Sequence, residues 1–234
     1  YALRKGGAWD SKYLVQNKCF LGIPIYRASE ALLNYMEASY EKNQTLDNTA
    51  REYWQLLRRR ALVSDNIDAT IAATDMNKEA ENDWGAYSAG KILVDKTLYN
   101  IRRERMNELF SEGQRFADLI RWRSFDRMIT AKWIPEGVNF WDNLYLLYDA
   151  DIKADGTSDA VVSGKEQGKY LRPYSRNLES SNELRDGYNW HEAYYLYPIG
   201  ISDIRTASAD RDINNSNIYQ NINWPTTAGG HAEK

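Results

Sequence analysis

The stretch from Tyr99 to Arg127, YNIRRERMNELFSEGQRFADLIRWRSFDR, constrains the fold more than any other part of the chain. It lies inside the longest run of helical periodicity, Lys91 to Thr130, and sets arginines and carboxylates around a narrow apolar stripe. Ile101, Met106, Leu109 and Phe110 fall where they could face a core, and Phe116, Leu119, Ile120, Trp122, Phe125 and Ile129 resume the spacing downstream. Gly113 divides the run and is expected as a helix C-cap or a point of close helix packing. Glu104, Glu108 and Glu112 share one face. Arg105 stands three residues before Glu108, Glu112 three before Arg115, and Asp118 three before Arg121. On a solvated helix such pairs contribute roughly 0.2–0.5 kcal/mol each. The other reading is an internal network in a partly buried helix pair. Such a network is costly unless fully satisfied, so it would specify helix geometry more than add stability.

Upstream, Gly6, Gly7 and Gly22 interrupt a mixed segment, and Ile23-Pro24-Ile25 leads into a helix. Its apolar stripe is Ala28, Ala31, Leu32, Tyr35, Met36 and Tyr40, with Arg27, Glu30, Asn34, Glu37 and Glu41 largely on the other side. Asn43 to Asn48 forms a turn, and Asp47 or Asn48 caps the next helix. That helix turns Tyr53, Trp54, Leu56, Leu57, Ala61 and Leu62 inward, giving an antiparallel αα-hairpin. A shorter helix is expected near Asn66 to Thr74. Asn82 to Gly90 reads as a loop carrying Trp84 and Tyr87.

After Thr130 the character changes. Trp133 to Tyr148 is aromatic with Pro135 and Gly137, Asp149 to Gly168 reads as a polar exposed loop, and Tyr170 to Trp190 stays irregular. Glu192 to Ile199 is expected as a short extended run ended by Pro198. The tail from Arg205 to Lys234 can be ordered only by draping over a scaffold.

Balanced charge, with a net of -3, makes no electrostatic case for nucleic acid or a basic membrane-surface patch. No stretch of eighteen apolar residues exists. Cys19 stands alone, which excludes an intrachain disulfide and reads as a bland buried or half-buried thiol. Tyr1-Ala2-Leu3-Arg4-Lys5 has neither an initiator Met nor signal-peptide character, so the chain reads as a processed or truncated piece.

Catalytic and metal motifs fail on inspection. His191-Glu192 is followed by Tyr195 where a second zinc-binding His would stand. With His231 and Cys19 as the other soft ligands, no zinc site is expected. Asp151 to Gly156 begins like a calcium loop, but Lys153 occupies a ligand position and Val162 the closing Glu position. No Gly-rich phosphate loop is present. The reading is a protein without enzymatic activity, metal or cofactor.

Eight Trp and seventeen Tyr against five Phe favour half-wet surfaces, because these rings carry a polar tip. On such surfaces flat rings stack on a ligand while amides and carboxylates bond its polar groups. Trp133, Asn139, Trp141 and Tyr145 after the long helix, with Trp84 and Tyr87 before it, are the candidate ligand contacts. For any single aromatic the favoured reading is that it packs a core or pins a loop.

The segment that opens this section resembles the SusD/RagB family of outer-membrane glycan-binding lipoproteins of Bacteroidota. The family's helix E-R-x-x-E-L-x-x-E-G-x-R-x-x-D-L-x-R-W is matched in register by Glu104-Arg105, Glu108-Leu109, Glu112-Gly113, Arg115, Asp118-Leu119 and Arg121-Trp122. Ile23-Pro24-Ile25-Tyr26-Arg27-Ala28-Ser29-Glu30 with Leu32 to Ala38 is similar to its "P-I-x-R-x-A-E-x-x-L-x-Y-A-E-A" helix, departing at Ser29 and Met36. Tyr195 to Ile199 is similar to its "L-x-P-I-P" element, with Gly200 for the second Pro. Asn214-Asn215 and Tyr219-Gln220-Asn221 loosely match its terminal segment.

The resemblance implies a mainly α fold of tetratricopeptide-like helix pairs, with a large irregular C-terminal portion and little β. Residues 1–234 would be the C-terminal part of such a protein, with 23–130 a helical scaffold and 131–234 a loop-rich region. It implies surface-exposed placement at the outer membrane, held by an N-terminal lipid anchor outside this sequence. It also implies a glycan ligand and a SusC-like TonB-dependent transporter as partner. The competing expectation is a helical-repeat scaffold that binds a protein and no sugar, suggested by the αα-hairpin.

Overall fold

The computed structural model describes residues 5, 10–13, 15, 17–18, 25–89, 91–147, 152–153, 160–161, 163–172, 187–227 and 230–232. Cys19, Ile23-Pro24 and most of the Asp149–Val162 stretch lie outside them. The chain is mainly helical with little β, and it divides into two units, Tyr1–Ser124 and Phe125–Lys234.

In the first unit α1 (Ala28–Asn43) and α2 (Asn48–Arg60) fold back on each other across a four-residue turn. Gln44 closes α1 in the left-handed region, with its N–H on the Tyr40 carbonyl. Asp47 caps α2 by accepting from the Ala50 N–H, and the same carboxylate takes the Tyr35 and Ser39 hydroxyls, so one residue clamps both helices. The buried stripe of α1 is Ser29, Leu33, Met36, Glu37 and Tyr40. That corrects the expected one: Ala28, Ala31 and Tyr35 face solvent, and Glu37 goes inside. On α2, Trp54 and Leu57 are buried, but Leu56, Ala61 and Leu62 are exposed. The expected face was too wide because α2 ends at Arg60 and its last turn runs out of core.

Next come α3 (Ile67–Ala73), capped by Asn66, and α4 (Met76–Asn82), capped by Asp75. The stretch expected as loop holds the last residue of α4, a 3-10 turn at Trp84–Ala86, and the first strand of a hairpin. In the hairpin β1 (Tyr87–Ser88) pairs antiparallel with β2 (Ile92–Leu93). The long helix therefore does not begin at Lys91. It begins as α5 (Lys96–Glu108), where the Asp95 carboxylate accepts from the N–H groups of Thr97 and Leu98. α6 (Gln114–Arg121) follows. Gly113 is its N-cap at φ +79, and a Cβ there would meet nothing within 4 Å. Gly113 is thus neither the C-cap nor a close-packing point. It is a left-handed link between two helices. Ile101 and Leu109 join the core, while Phe110 and Phe116 are exposed.

In the second unit α7 (Arg127–Thr130) leads to two isolated bridges, Trp133 with Tyr188 and Asn139 with Tyr170. β3 (Ile152–Lys153) and β4 (Ala160–Val161) pair in parallel. Glu192–Tyr195 is a 3-10 turn and not the expected strand, and α8 (Ile201–Thr206) follows it. The tail does drape. Gln220 accepts from the Ile199 N–H at 2.8 Å and donates to the Ile199 carbonyl at 2.9 Å. The Trp224 indole donates to the carbonyls of Ala193 and Leu196.

Candidate functional site

Two constellations stand out, one in each unit. The first is a charged network on α1, α5 and α6. Glu37 is 5% exposed, and its carboxylate takes a two-pronged Arg121 guanidinium at 2.7 and 2.6 Å and the Trp122 indole N–H at 2.6 Å. Trp122 lies under three guanidinium groups, with Arg102, Arg121 and Arg115 at 4.3, 4.8 and 5.6 Å from its ring centre. Arg102, 2% exposed, donates to the carbonyls of Gly85 and Tyr87, to Ser88 and to Glu41. Arg105 holds Asp118 through its Nε at 2.8 and 2.9 Å and reaches Asn34.

Electrostatics follow the geometry. Burial alone pushes the Glu37 carboxyl up. The Arg121 fork, Trp122 and Arg102 overcome that and hold it below the ordinary glutamate range. Burial pulls Arg102 down, against the pull of Glu37 and Glu41. Glu104 is the opposite case to Glu37. Its burial outweighs the Trp54 indole and Arg58, so its carboxyl is raised. A second cluster ties Arg27 and Lys5 to Glu108 and Glu112, with Arg60 also on Glu108. The internal-network reading of Tyr99 to Arg127 therefore holds for its centre, and the solvated reading does not.

This network floors a cleft of about 690 Å³ lined by residues including Asn34, Glu41, Ser88 and Arg123. Glu37 was expected on the polar face. The signal that places it inside is Leu33, Met36, Glu37 and Tyr40, an i, i+3, i+4, i+7 set in which one member is acidic. Trp84 and Tyr87 also belong to this unit. Both are half-buried, Tyr87 packs against the core, and its hydroxyl donates to the Ala80 carbonyl.

The second constellation is aromatic and lies in the second unit. The Trp141 and Tyr145 ring centres are 5.8 Å apart with planes inclined 42°, and Phe140 meets Trp141 edge-on at 5.0 Å. The segment 163–172 holds them. The Trp141 indole donates to the Ser163 carbonyl at 2.8 Å, and the N–H groups of Phe140 and Trp141 both reach the Lys169 carbonyl. The Ser163 hydroxyl in turn accepts from the Arg172 N–H. Asn139 donates to Asp142 at 2.8 Å, while its own amide oxygen is buried without a hydrogen-bond partner. Lys165 sits 5.7 Å from the Tyr145 ring centre, and Lys169 lies 4.0 Å from Asp142.

Asn139, Trp141 and Tyr145 are thus brought together. Trp133 is not placed with them. Its backbone pairs with Tyr188, and the two rings stack at 5.6 Å. A further aromatic group was not anticipated: Trp190 packs against Phe125, Tyr194 and Tyr195, and Tyr194 against Trp224. Only their shared crowding of Trp and Tyr near the C-terminus could have hinted at it.

Among the described residues, no group of three or more His, Cys, Asp or Glu could hold a metal ion, and no helix is long and apolar enough to cross a membrane. Neither curated proteins nor solved structures yielded a match. The family model described as the SusD family matches residues 21–224. That span takes in the α1 stripe, the Glu37–Arg121–Trp122 network and the closing segment through Trp224. The chain belongs to the SusD family.

Proposed function

We propose that this protein binds glycans at the outer-membrane surface for nutrient uptake, without catalysis, and hands them to a SusC-like TonB-dependent transporter. The observation that carries the reading is the Trp141–Tyr145 pair with Asn139 and Asp142 beside it. Two inclined rings present apolar faces to a sugar, and the half-exposed Asp142 carboxylate, held by Asn139, accepts from its hydroxyls. Family membership supports the same role. In this reading the ligand surface is Trp141, Tyr145 and Asp142, with Asn139 beneath it holding the Asp142 carboxylate and Trp133, Trp84 and Tyr87 outside it. The charged network of the first unit is scaffold in this reading. Residues 23–130 act as the support and 131–234 as the loop-rich, ligand-bearing part.

Calorimetry of the full-length protein against a panel of oligosaccharides tests the proposal. At least one glycan binds, and Trp141→Ala weakens it about tenfold, or ~1.4 kcal/mol. A folded protein that binds none of the panel, or a Trp141→Ala variant with unchanged affinity, would sink it. In the first event the scaffold reading, binding a protein and no sugar, takes its place; in the second the sugar binds elsewhere than at Trp141.

A further inference from the structure

The second unit holds a cleft of about 770 Å³, lined by α8 and the stretch 210–213 and by neither Trp141 nor Tyr145. α8 supplies Ser202 and Arg205 from one of its faces, and the stretch that follows supplies Asp210, Arg211 and Asp212. The two arginines differ from those of the first unit. Every arginine of α2, α5 and α6 pairs with a carboxylate. Arg205 and Arg211 make no ion pair and no side-chain hydrogen bond among the described residues, although two carboxylates line the same cleft.

Those carboxylates are engaged elsewhere. Asp210 accepts from the Ser208 hydroxyl, from the Asp212 N–H at 2.9 Å and from the Asn215 amide at 2.6 Å, and these donors hold its pKa down at about 2. Asp212 takes the N–H and the side-chain amide of Asn214 on its Oδ1, at 2.9 and 3.0 Å, and its Oδ2 takes nothing among the described residues. Arg211 is held at φ 59, a left-handed conformation that suits glycine or asparagine better than arginine. Residues strained in this way persist where the surrounding structure fixes them, and they gather at ligand clamps.

The cleft thus offers a ligand two guanidinium forks and the Ser202 hydroxyl as donors, beside an open carboxylate oxygen as acceptor. A guanidinium fork matches an oxyanion two bonds at a time. A bare inorganic anion would fill the forks and be repelled by Asp210 and Asp212. A neutral sugar would satisfy Asp212 and leave both forks idle. A sugar that carries an oxyanion answers both, with its acid group on the arginines and a ring hydroxyl donating to Asp212. The volume lies within the ~300–1,000 Å³ of small-molecule sites.

We propose that the Arg205–Arg211 cleft binds acidic sugar residues of a glycan, those bearing a carboxylate or a sulfate ester. The inference rests on the glycan reading under Proposed function, and adds to it a second site and a ligand class.

Calorimetry of the full-length protein tests it with digalacturonate against its uncharged methyl ester, sulfated lactose against lactose, and sodium sulfate alone. At least one acidic disaccharide binds tenfold or more tightly than its uncharged counterpart, and the pair that shows the gap tells carboxylate from sulfate. Arg205→Gln/Arg211→Gln abolishes the gap. Both side chains are exposed, so its thermal melting stays unchanged. Arg211→Gly relieves the left-handed backbone, so its melting temperature holds or rises while the gap shrinks. Trp141→Ala keeps the gap. Equal binding of acidic and uncharged sugars in both pairs overturns the inference, as does an arginine variant that keeps the preference. Sodium sulfate that binds as tightly as the acidic disaccharides overturns it too, by making the cleft a plain anion site. Loss of the gap in Trp141→Ala overturns it by moving the acidic sugar to the aromatic surface. If uncharged glycans bind through Trp141 and neither acidic disaccharide binds, the glycan reading stands and this inference falls. If the acidic disaccharides bind through the arginines and Trp141→Ala changes no affinity, the Trp141 surface falls and the cleft stands.

Discussion

Glu37 shows how one carboxylate can organise a helix bundle without adding much to it. Its burial is unfavourable by itself, and three donors, from Arg121 and Trp122, reverse the balance. Removing one member of a buried pair leaves the other uncompensated, which costs ~3–5 kcal/mol. Glu37→Gln stops short of that, because Arg121 is 44% exposed and keeps Asp118 at 3.0 Å, and it destabilises the protein by about 1–3 kcal/mol in urea melts at pH 7. The pH dependence has a definite sign. The folded pKa lies below the ordinary value of 4.5, so the contribution is complete above about 4.5 and fades as pH falls through the lower folded value. The gap between wild type and Glu37→Gln narrows on acidification in that window. A gap that stays constant down to strongly acid pH would mean that Glu37 is not the charged hub. This residue was not legible as an inward one. Its chemistry says surface while its spacing says core, and only partners from α6, distant in sequence, decide between them. The arginine–carboxylate spacing of Tyr99 to Arg127 was legible, but the local pairs it suggested are mostly replaced. Arg105 turns to Asp118 and Arg115 to Asp83, contacts that i, i+3 counting does not reveal.

At the level of elements, the helices that sequence pattern makes visible are those with a cap and a stripe: α1, α2, α3 and the α5–α6 run. The β1–β2 hairpin is not visible, because strands of two residues carry no alternation to read. Helix ends depend on backbone geometry, and here two residues in the left-handed region make opposite predictions. Leu62 closes α2 at φ 57, with its N–H on the Arg59 carbonyl and the Val63 N–H on the Arg58 carbonyl, yet its side chain is 93% exposed. A leucine in this conformation costs ~1–2 kcal/mol, and glycine removes that at ~0.5–1 kcal/mol of chain entropy. Leu62→Gly thus stabilises the fold by about 0.5–1 kcal/mol. Gly113 already has the favoured residue at φ +79, with open space around it. Gly113→Ala costs ~1–2 kcal/mol from backbone strain alone, with no clash to relieve. Thermal denaturation of both variants checks the pair. The same sign for the two would show that the left-handed geometry does not govern these ends.

Across the whole molecule, the charged network and the features proposed to meet ligand occupy different units. The Glu37–Arg121–Trp122–Arg102 network and its partners fall within Tyr1–Ser124, and the Trp141–Tyr145 pair falls within Phe125–Lys234. Sequence could name Trp141, Tyr145 and Asn139 as neighbours because they lie within seven residues of each other. It could not separate Trp133 from them, since that depends on pairing with Tyr188 across more than fifty residues. Such a division predicts separable defects. Substitutions without shared partners add in stability, and each acts on its own function. Glu37→Gln lowers stability by about 1–3 kcal/mol, while the fraction that remains folded binds glycan with wild-type affinity. Trp141→Ala weakens glycan binding about tenfold. Its added destabilisation is the same in the wild-type and Glu37→Gln backgrounds, to within ~0.5 kcal/mol. Urea melts of the two single variants and the double variant, with calorimetry on each under folding conditions, measure both quantities. A coupling above ~1 kcal/mol, or a loss of glycan affinity in folded Glu37→Gln, would show that the charged scaffold reaches the ligand surface and that the two roles are one.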